Sequence, residues 1–207
     1  MTQTTLPKPF DLGDALQAYL ALYLEEATVV EEFRSVPSNR TRCSERDHFS
    51  PGHITGSAWL MDESGEYVLL THHRTLAAWL QLGGHSDGDP DTAAVAKREA
   101  GEESGLAVEL LSREILDIDV HEIPARADRA HFNFDVRFAF VSRPGGNYVV
   151  SDESHDLAWL LVDGMQGFTT EESMLRMARK WTELRARIMA CESAEPGQRQ
   201  FRAGNPR

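Results

Sequence analysis

Three glutamates, Glu99, Glu102 and Glu103, fall at i, i+3 and i+4 in a stretch with strong helical character. At about 100° per residue they share one stripe of the helix. Carboxylates that close repel, by about 0.2–0.5 kcal/mol per pair on an exposed helix. A hard dication placed over them reverses that sign, because divalent cations of this kind take oxygen ligands. Arg98, adjacent to Glu99 and four residues before Glu102, can hold a carboxylate ionised and aim it. Gly83 and Gly84 precede the helix and let backbone approach a ligand without a side chain in the way. Without those neighbours, three Glu in five residues would read as a solvated acidic face.

The elements that must position these residues can be read around them. Asp89 is a candidate N-cap with Pro90 at the first helical position, the body runs to Ser104, and Gly105 is placed to end it. Before it, Ser57–Met61 and Tyr67–Thr71 flank Asp62-Glu63-Ser64-Gly65, a hairpin pattern. Trp79–Leu82 reads as a third strand running into Gly83-Gly84. After the helix, Val108–Val120 and Ala158–Val162 are strand-like. His131–Val141 alternates, with Phe132, Phe134, Val136, Phe138 and Phe140 on one face and His131, Asn133, Asp135 and Arg137 on the other. Thr169 with Glu172 forms a capping box for a last helix, whose stripe of Met174, Met177, Ala178, Trp181, Leu184 and Ile188 reads as core. Residues 11–33 form an amphipathic helical stretch capped by Asp11, and 35–52 form a loop.

Gly84 followed at fixed spacing by Arg98-Glu99-Ala100-Gly101-Glu102-Glu103-Ser104-Gly105-Leu106 resembles the signature box of the Nudix hydrolases. The spacing matches without an insertion. One position departs: Pro90 stands where the box has its first Glu, with Asp89 and Asp91 beside it, and Ala100 is smaller than the usual aliphatic. The resemblance implies an α/β fold, a Nudix-like α/β/α sandwich around a mixed β-sheet, over residues 53–190. Residues 1–52 would then be an N-terminal helical extension and loop, and 191–207 a flexible C-terminal tail.

The resemblance also implies roles. Glu99, Glu102 and Glu103 would bind Mg²⁺ or Mn²⁺ together with the Gly83 carbonyl, with one glutamate also activating water, and Arg98 would orient Glu99. A further Glu from a loop ahead of a late strand is often present in the family. Glu153, six residues before Trp159, fits as general base or ligand, with Asp156 as its rival. The implied activity is hydrolysis of a diphosphate linkage in a nucleoside diphosphate joined to another moiety. Clustered carboxylates and divalent metal suit that chemistry, neutralising bridging oxygens and positioning a water in line with phosphorus.

Two polar groups flank this set. His85 and Asp87 follow Gly84 in a turn-like run and are candidates for contact with substrate or an extra metal; the plainer reading is a mobile turn. His131, Asp135 and Arg137 lie on the polar face of their strand. That face is either open to water or lines the substrate cleft, in which case Arg137 pairs with a phosphate. Two other classes of function stay open. One is a Nudix-like module that senses a nucleotide without cleaving it. The other is isopentenyl diphosphate isomerase chemistry, for which no suited cysteine motif is present.

Composition narrows the partners. The 207 residues carry 33 acidic against 21 basic side chains, a net charge of −12. So negative a surface repels nucleic-acid polymers and anionic membranes, while a small anionic ligand needs local cations. No run of 18 apolar residues occurs. The first ten residues lack a secretory pattern, and Cys43 and Cys191 read as reduced thiols, so a cytoplasmic protein is expected. A homodimer is common in the family.

Overall fold

The computed structural model describes residues 10–36, 40–74, 76–125, 129–143, 146–152 and 154–194. The strand β1 (Gly52–Met61) is buried along its whole length. Both of its edges are occupied. One runs parallel to β7 (His131–Ser142), from Gly52 opposite Phe132 to Met61 opposite Val141. The other pairs antiparallel with β4 (Leu82–His85) and, at its end, with β2 (Tyr67–His73). Strand β2 carries β3 (Ala78–Leu80) and β8 (Ser154–Leu161), and β7 carries β5 (Val108–Leu110) and β6 (Asp117–Ile123). Among the described residues the β1–β7 pairing is parallel and the others are antiparallel, so the sheet is mixed.

Each face of this sheet has its own apolar cluster. On one, Ile54, Ala58, Leu60, Phe134, Val136, Phe138 and Phe140 meet Ala93, Ala96 and Ala100 of α4 (Thr92–Ser104) and residues of the N-terminal helices. On the other, Trp59, Met61, Val68 and Leu70 meet Met174, Met177, Trp181 and Leu184 of α5 (Glu172–Ala194). Helices on both faces of a mixed sheet make the expected α/β/α sandwich. The helix stripe read from the sequence is the core contact of α5, and Trp181 also donates from Nε1 to the Gly65 carbonyl at the hairpin turn, 2.9 Å away.

Several boundaries differ from the sequence reading. Residues 11–33 are two helices, α1 (Leu12–Leu22) and α2 (Ala27–Ser35), separated by a 3₁₀ turn at Leu24–Glu26. Asp11 does cap α1, accepting from the Asp14 N–H. Leu12, Leu16, Tyr19, Val30 and Phe33 join the first core cluster, so the N-terminal helices cover the sheet directly. A short helix, α3 (Arg40–Cys43), interrupts the expected loop. The strand read over 108–120 is two strands with a turn between them, and the one read over 79–82 is divided into β3 and β4. Cys191–Ala194 continue α5 rather than belonging to a tail; residues 195–207 lie outside the described residues.

Candidate functional site

The helix that carries the three glutamates begins two residues later than the Asp89–Pro90 pattern suggests. Asp91 is the cap, accepting from Ala94 N–H at 3.1 Å, while Asp89 accepts from Asp91 N–H at 2.9 Å. Both aspartates therefore satisfy amides that helix formation would leave unpaired. Gly105 ends the helix with φ of 70°, in the left-handed region that glycine enters without strain.

Two glycines let α4 lie close on the sheet. A Cβ at Gly56 would stand 2.5 Å from the Thr92 carbonyl oxygen. One at Gly84 would stand 2.5 Å from Glu99 Oε2. Glu99 therefore lies over the strand segment Gly83-Gly84, and Glu103 reaches the same segment, its Oε1 accepting from Gly83 N–H at 2.7 Å. Arg98 ties helix to strand by donating from Nη2 to the His85 carbonyl at 2.9 Å. Its Nη1 is 2.7 Å from Glu99 Oε1 and 3.3 Å from Glu102 Oε2.

That last geometry tests whether a cation suits the site. One positive nitrogen reaches the carboxylates of Glu99 and Glu102 from a single place, so a common cation can serve both. Their oxygens are hard donors of the type Mg²⁺ and Mn²⁺ take. Glu103 is 8% exposed and Glu102 stands out in solvent, so the set combines a buried and an exposed carboxylate. Among the described residues no three His, Cys, Asp or Glu side chains are gathered into a ready-made cage.

The other residues read from the sequence fall into three places. Glu153 lies outside the described residues. Its rival Asp156 sits on β8 opposite His72, and its carboxylate accepts from Leu157 N–H at 2.8 Å. Asp87 is held by Arg46 in a two-bond pair, both distances 2.6 Å. That pair, led by the hydrogen bonds from Arg46, keeps the Asp87 carboxyl below the usual range. It fastens the segment after α3 to the end of β4, aided by Gly88 N–H donating to the Ser44 carbonyl.

The polar face of β7 is neither open to water nor a cleft wall. Asp135 and Arg137 are each 2% exposed and His131 is 7% exposed, whereas Phe132, expected in the core, is 41% exposed at the strand's start. Arg137 contacts Asp135 at 2.7 Å, Asp117 at 2.9 Å and Asp119 at 3.3 Å. Arg176 and Lys180 of α5 also contact Asp117, at 2.8 and 2.7 Å. Lys180 extends the network to Glu26 at 2.5 Å and to Tyr19. Burial alone would raise the Asp117 carboxyl, but Arg176, Arg137 and Lys180 together lower it. With three carboxylates around it, the Arg137 guanidinium balances charge inside the protein instead of standing ready for a phosphate. The reason is cross-strand register: Asp117 and Asp119 lie on β6 beside β7.

Asp135 also links this network to the helix contact. Its Oδ1 accepts from Thr55 and Ser57 hydroxyls at 2.9 and 2.7 Å, and Ser57 is the β1 residue opposite Gly83. The charge network therefore borders the strand segment on which Glu99 and Glu103 rest.

The sequence reading passed over His53. Its ring centroid is 5.0 Å from that of His85 and 4.7 Å from that of His131, which in turn is 5.1 Å from Phe49. His53 is 1% exposed, and neither ring nitrogen has a full hydrogen-bond partner. Burial, followed by the nearby His85 and His131, lowers its pKa from 6.5 to about 4, against a slight opposing interaction with the His48 backbone. A lone His in an alternating strand carries no signal of this row; only the β1–β7 and β1–β4 registers assemble it.

No sequence-family model matches this chain, and no curated protein does. Solved structures do. A Nudix hydrolase from M. Smegmatis, RenU, superposes with a TM-score of 0.50 at 18% identity, over 66% of this chain and 87% of that one. A hydrolase of the NUDIX family from Clostridium perfringens gives a TM-score of 0.46 at 22% identity, over 64% and 97%. The NUDIX domain of Shewanella oneidensis NrtR, complexed with ADP ribose, gives 0.47 at 14% identity, over 65% and 87%. At these identities the likeness is one of fold, and the first of the three carries it.

Proposed function

With the Nudix fold as premise, we propose that this chain is a Nudix-type hydrolase. It cleaves, with Mg²⁺ or Mn²⁺, a diphosphate linkage in a nucleoside diphosphate joined to another moiety. One observation carries the reading: Arg98 Nη1 lies within 3.3 Å of both Glu99 and Glu102 while its Nη2 grips the His85 carbonyl. The sequence pattern of Gly84, Arg98, Glu99, Glu102 and Glu103 is thus realised as one joint between a helix and a strand.

In this reading Glu99, Glu102 and Glu103 hold the divalent ion, with the Gly83 carbonyl as a further oxygen. The ion, when bound, neutralises diphosphate oxygens and supplies an acidified water. The chain's own residues do the positioning. Arg98 keeps Glu99 ionised and aimed, Gly83 N–H fixes Glu103, and Gly84 gives the Glu99 carboxylate room. A carboxylate takes the proton of the attacking water, either one of the box glutamates or Glu153. Cytoplasmic residence and a small-molecule partner go with this reading.

A second reading, a module that binds a nucleotide without cleaving it, draws on the same arginine. A cation of the protein itself already stands between two of the three carboxylates. Tight binding with no turnover in either metal would favour it.

The test is product release from nucleoside triphosphates, dinucleoside polyphosphates, ADP-ribose, NADH and coenzyme A, with Mg²⁺ and with Mn²⁺. The hydrolase reading expects turnover of at least one compound by wild type and its loss in Glu103→Gln. Equal rates for both proteins on the whole panel would contradict it.

A further inference from the structure

A cavity of about 320 Å³ is lined by Arg42, Glu45, Asp47, His48, Phe49, Ser50 and Arg129. All but Arg129 come from α3 and the segment that follows it, outside the region that resembles the Nudix box. We propose that this cavity is a nucleoside-binding site, which takes the base of the substrate against Phe49. The proposal rests on the hydrolase reading and assigns a place to the nucleoside that reading names.

The lining fits that occupant and disfavours others. Glu45 and Asp47 repel a bare phosphate and accept hydrogen bonds from amino or hydroxyl donors. Arg42 and Arg129 donate to ring nitrogens and carbonyl oxygens and stack on aromatic faces. Phe49 offers a flat apolar surface, the usual partner of a nucleobase when readout does not depend on pairing. A group that is flat, neutral and rich in both donors and acceptors uses all of these; a lipid tail or a simple anion uses few. The volume sits near the lower end of the range of about 300–1,000 Å³ typical of small-molecule sites. It suits one nucleoside rather than two.

The cavity is also mechanically joined to the candidate catalytic residues. Phe49, His131, His53 and His85 form a row of three ring-to-ring steps of 5.1, 4.7 and 5.0 Å. The far end of that row is the residue whose carbonyl Arg98 holds. The Arg46–Asp87 pair and the Ser44–Gly88 bond clamp the cavity segment to the loop after β4. His48 stiffens it further, its Nδ1 2.7 Å from the Gly52 carbonyl. A base bound on Phe49 is thereby held in fixed relation to Gly83-Gly84.

The experiment is equilibrium binding of AMP, GMP, CMP and UMP to the full chain without divalent metal, with ribose 5-phosphate as the probe that lacks a base. At least one mononucleotide should bind, and ribose 5-phosphate should not. Phe49→Ala should weaken that mononucleotide about tenfold or more, the loss expected of one stacked base. Binding that ignores the base, or that survives Phe49→Ala unchanged, overturns the proposal. Thermal melting confirms that each variant is folded, and Phe49→Tyr, which keeps the ring, should restore binding. The two readings fail separately. Base-dependent binding without hydrolysis of any diphosphate supports the cavity and removes the enzyme. Hydrolysis lost in Glu102→Gln but indifferent to Phe49→Ala, with no mononucleotide bound, supports the enzyme and removes the cavity.

Discussion

Gly83 N–H in β4 donates to Oε1 of Glu103, twenty residues later in α4, at 2.7 Å. A backbone donor spent on a side chain instead of a neighbouring strand fixes the helix against the sheet at the point where the chemistry is proposed. Glu103→Ala leaves that amide without its partner, at a cost of about 1–3 kcal/mol. Glu103→Gln keeps an acceptor oxygen and should unfold in urea within about 0.5 kcal/mol of wild type. Both should lose hydrolysis, on the order of 100-fold. Comparing urea midpoints with rates separates the structural share of Glu103 from its charge.

Gly84 and Gly56 should respond differently to the same added methyl. At Gly84 the new Cβ meets the end of the Glu99 side chain, which can swing away; at Gly56 it meets backbone of α4, which cannot. Gly84→Ala should fall near the low end of the roughly 1–3 kcal/mol cost of overpacking and yet lose activity by displacing Glu99. Gly56→Ala should exceed that range. Thermal melting and the hydrolysis assay together check both.

Removing Arg137 should be severe. Its side chain is 3% exposed between Asp135, Asp117 and Asp119, and Arg137→Met would leave buried carboxylates short of a partner. The expected loss is about 3–5 kcal/mol, read from urea unfolding at neutral pH. A loss below about 1 kcal/mol would show that Arg176 and Lys180 balance those charges without it.

His53 gives the fold a pH dependence of definite sign. Its pKa is about 4 when folded and 6.5 as a free group, so between those values the unfolded chain binds the proton and the folded one does not. Its contribution is complete above the higher value and is lost as pH falls toward the lower. From about pH 7 to about pH 5 the loss should be about 2 kcal/mol. The lowered Asp117 and Asp119 carboxyls act only below this window. Urea unfolding at the two pH values should show the slope reduced by that amount in His53→Phe.

Local patterns were legible in the sequence where the cause was local. The hairpin at 62–65, the Gly105 helix end, the α5 stripe and the spacing from Gly84 to Glu103 each depend on residues a few positions apart. The cap was misplaced by two residues because aspartates flank Pro90 on both sides and either can cap. Residues 11–33 read as one helix because their apolar period runs on through the 3₁₀ turn after Tyr23. Burial of the β7 polar face was out of reach. Arg137 looks solvent-facing until Asp117, twenty residues away, is known to lie beside it on β6. The same holds for the His53 row, which only strand register and the segment after α3 assemble from Phe49 to His85.

The cation site is tested most directly by Mn²⁺. Crystals soaked in Mn²⁺ and a diphosphate compound should give an anomalous difference peak beside the carboxylates of Glu99 and Glu102, with the Arg98 guanidinium turned away from one of them. A peak elsewhere, or none at those oxygens with the compound bound, would contradict the account.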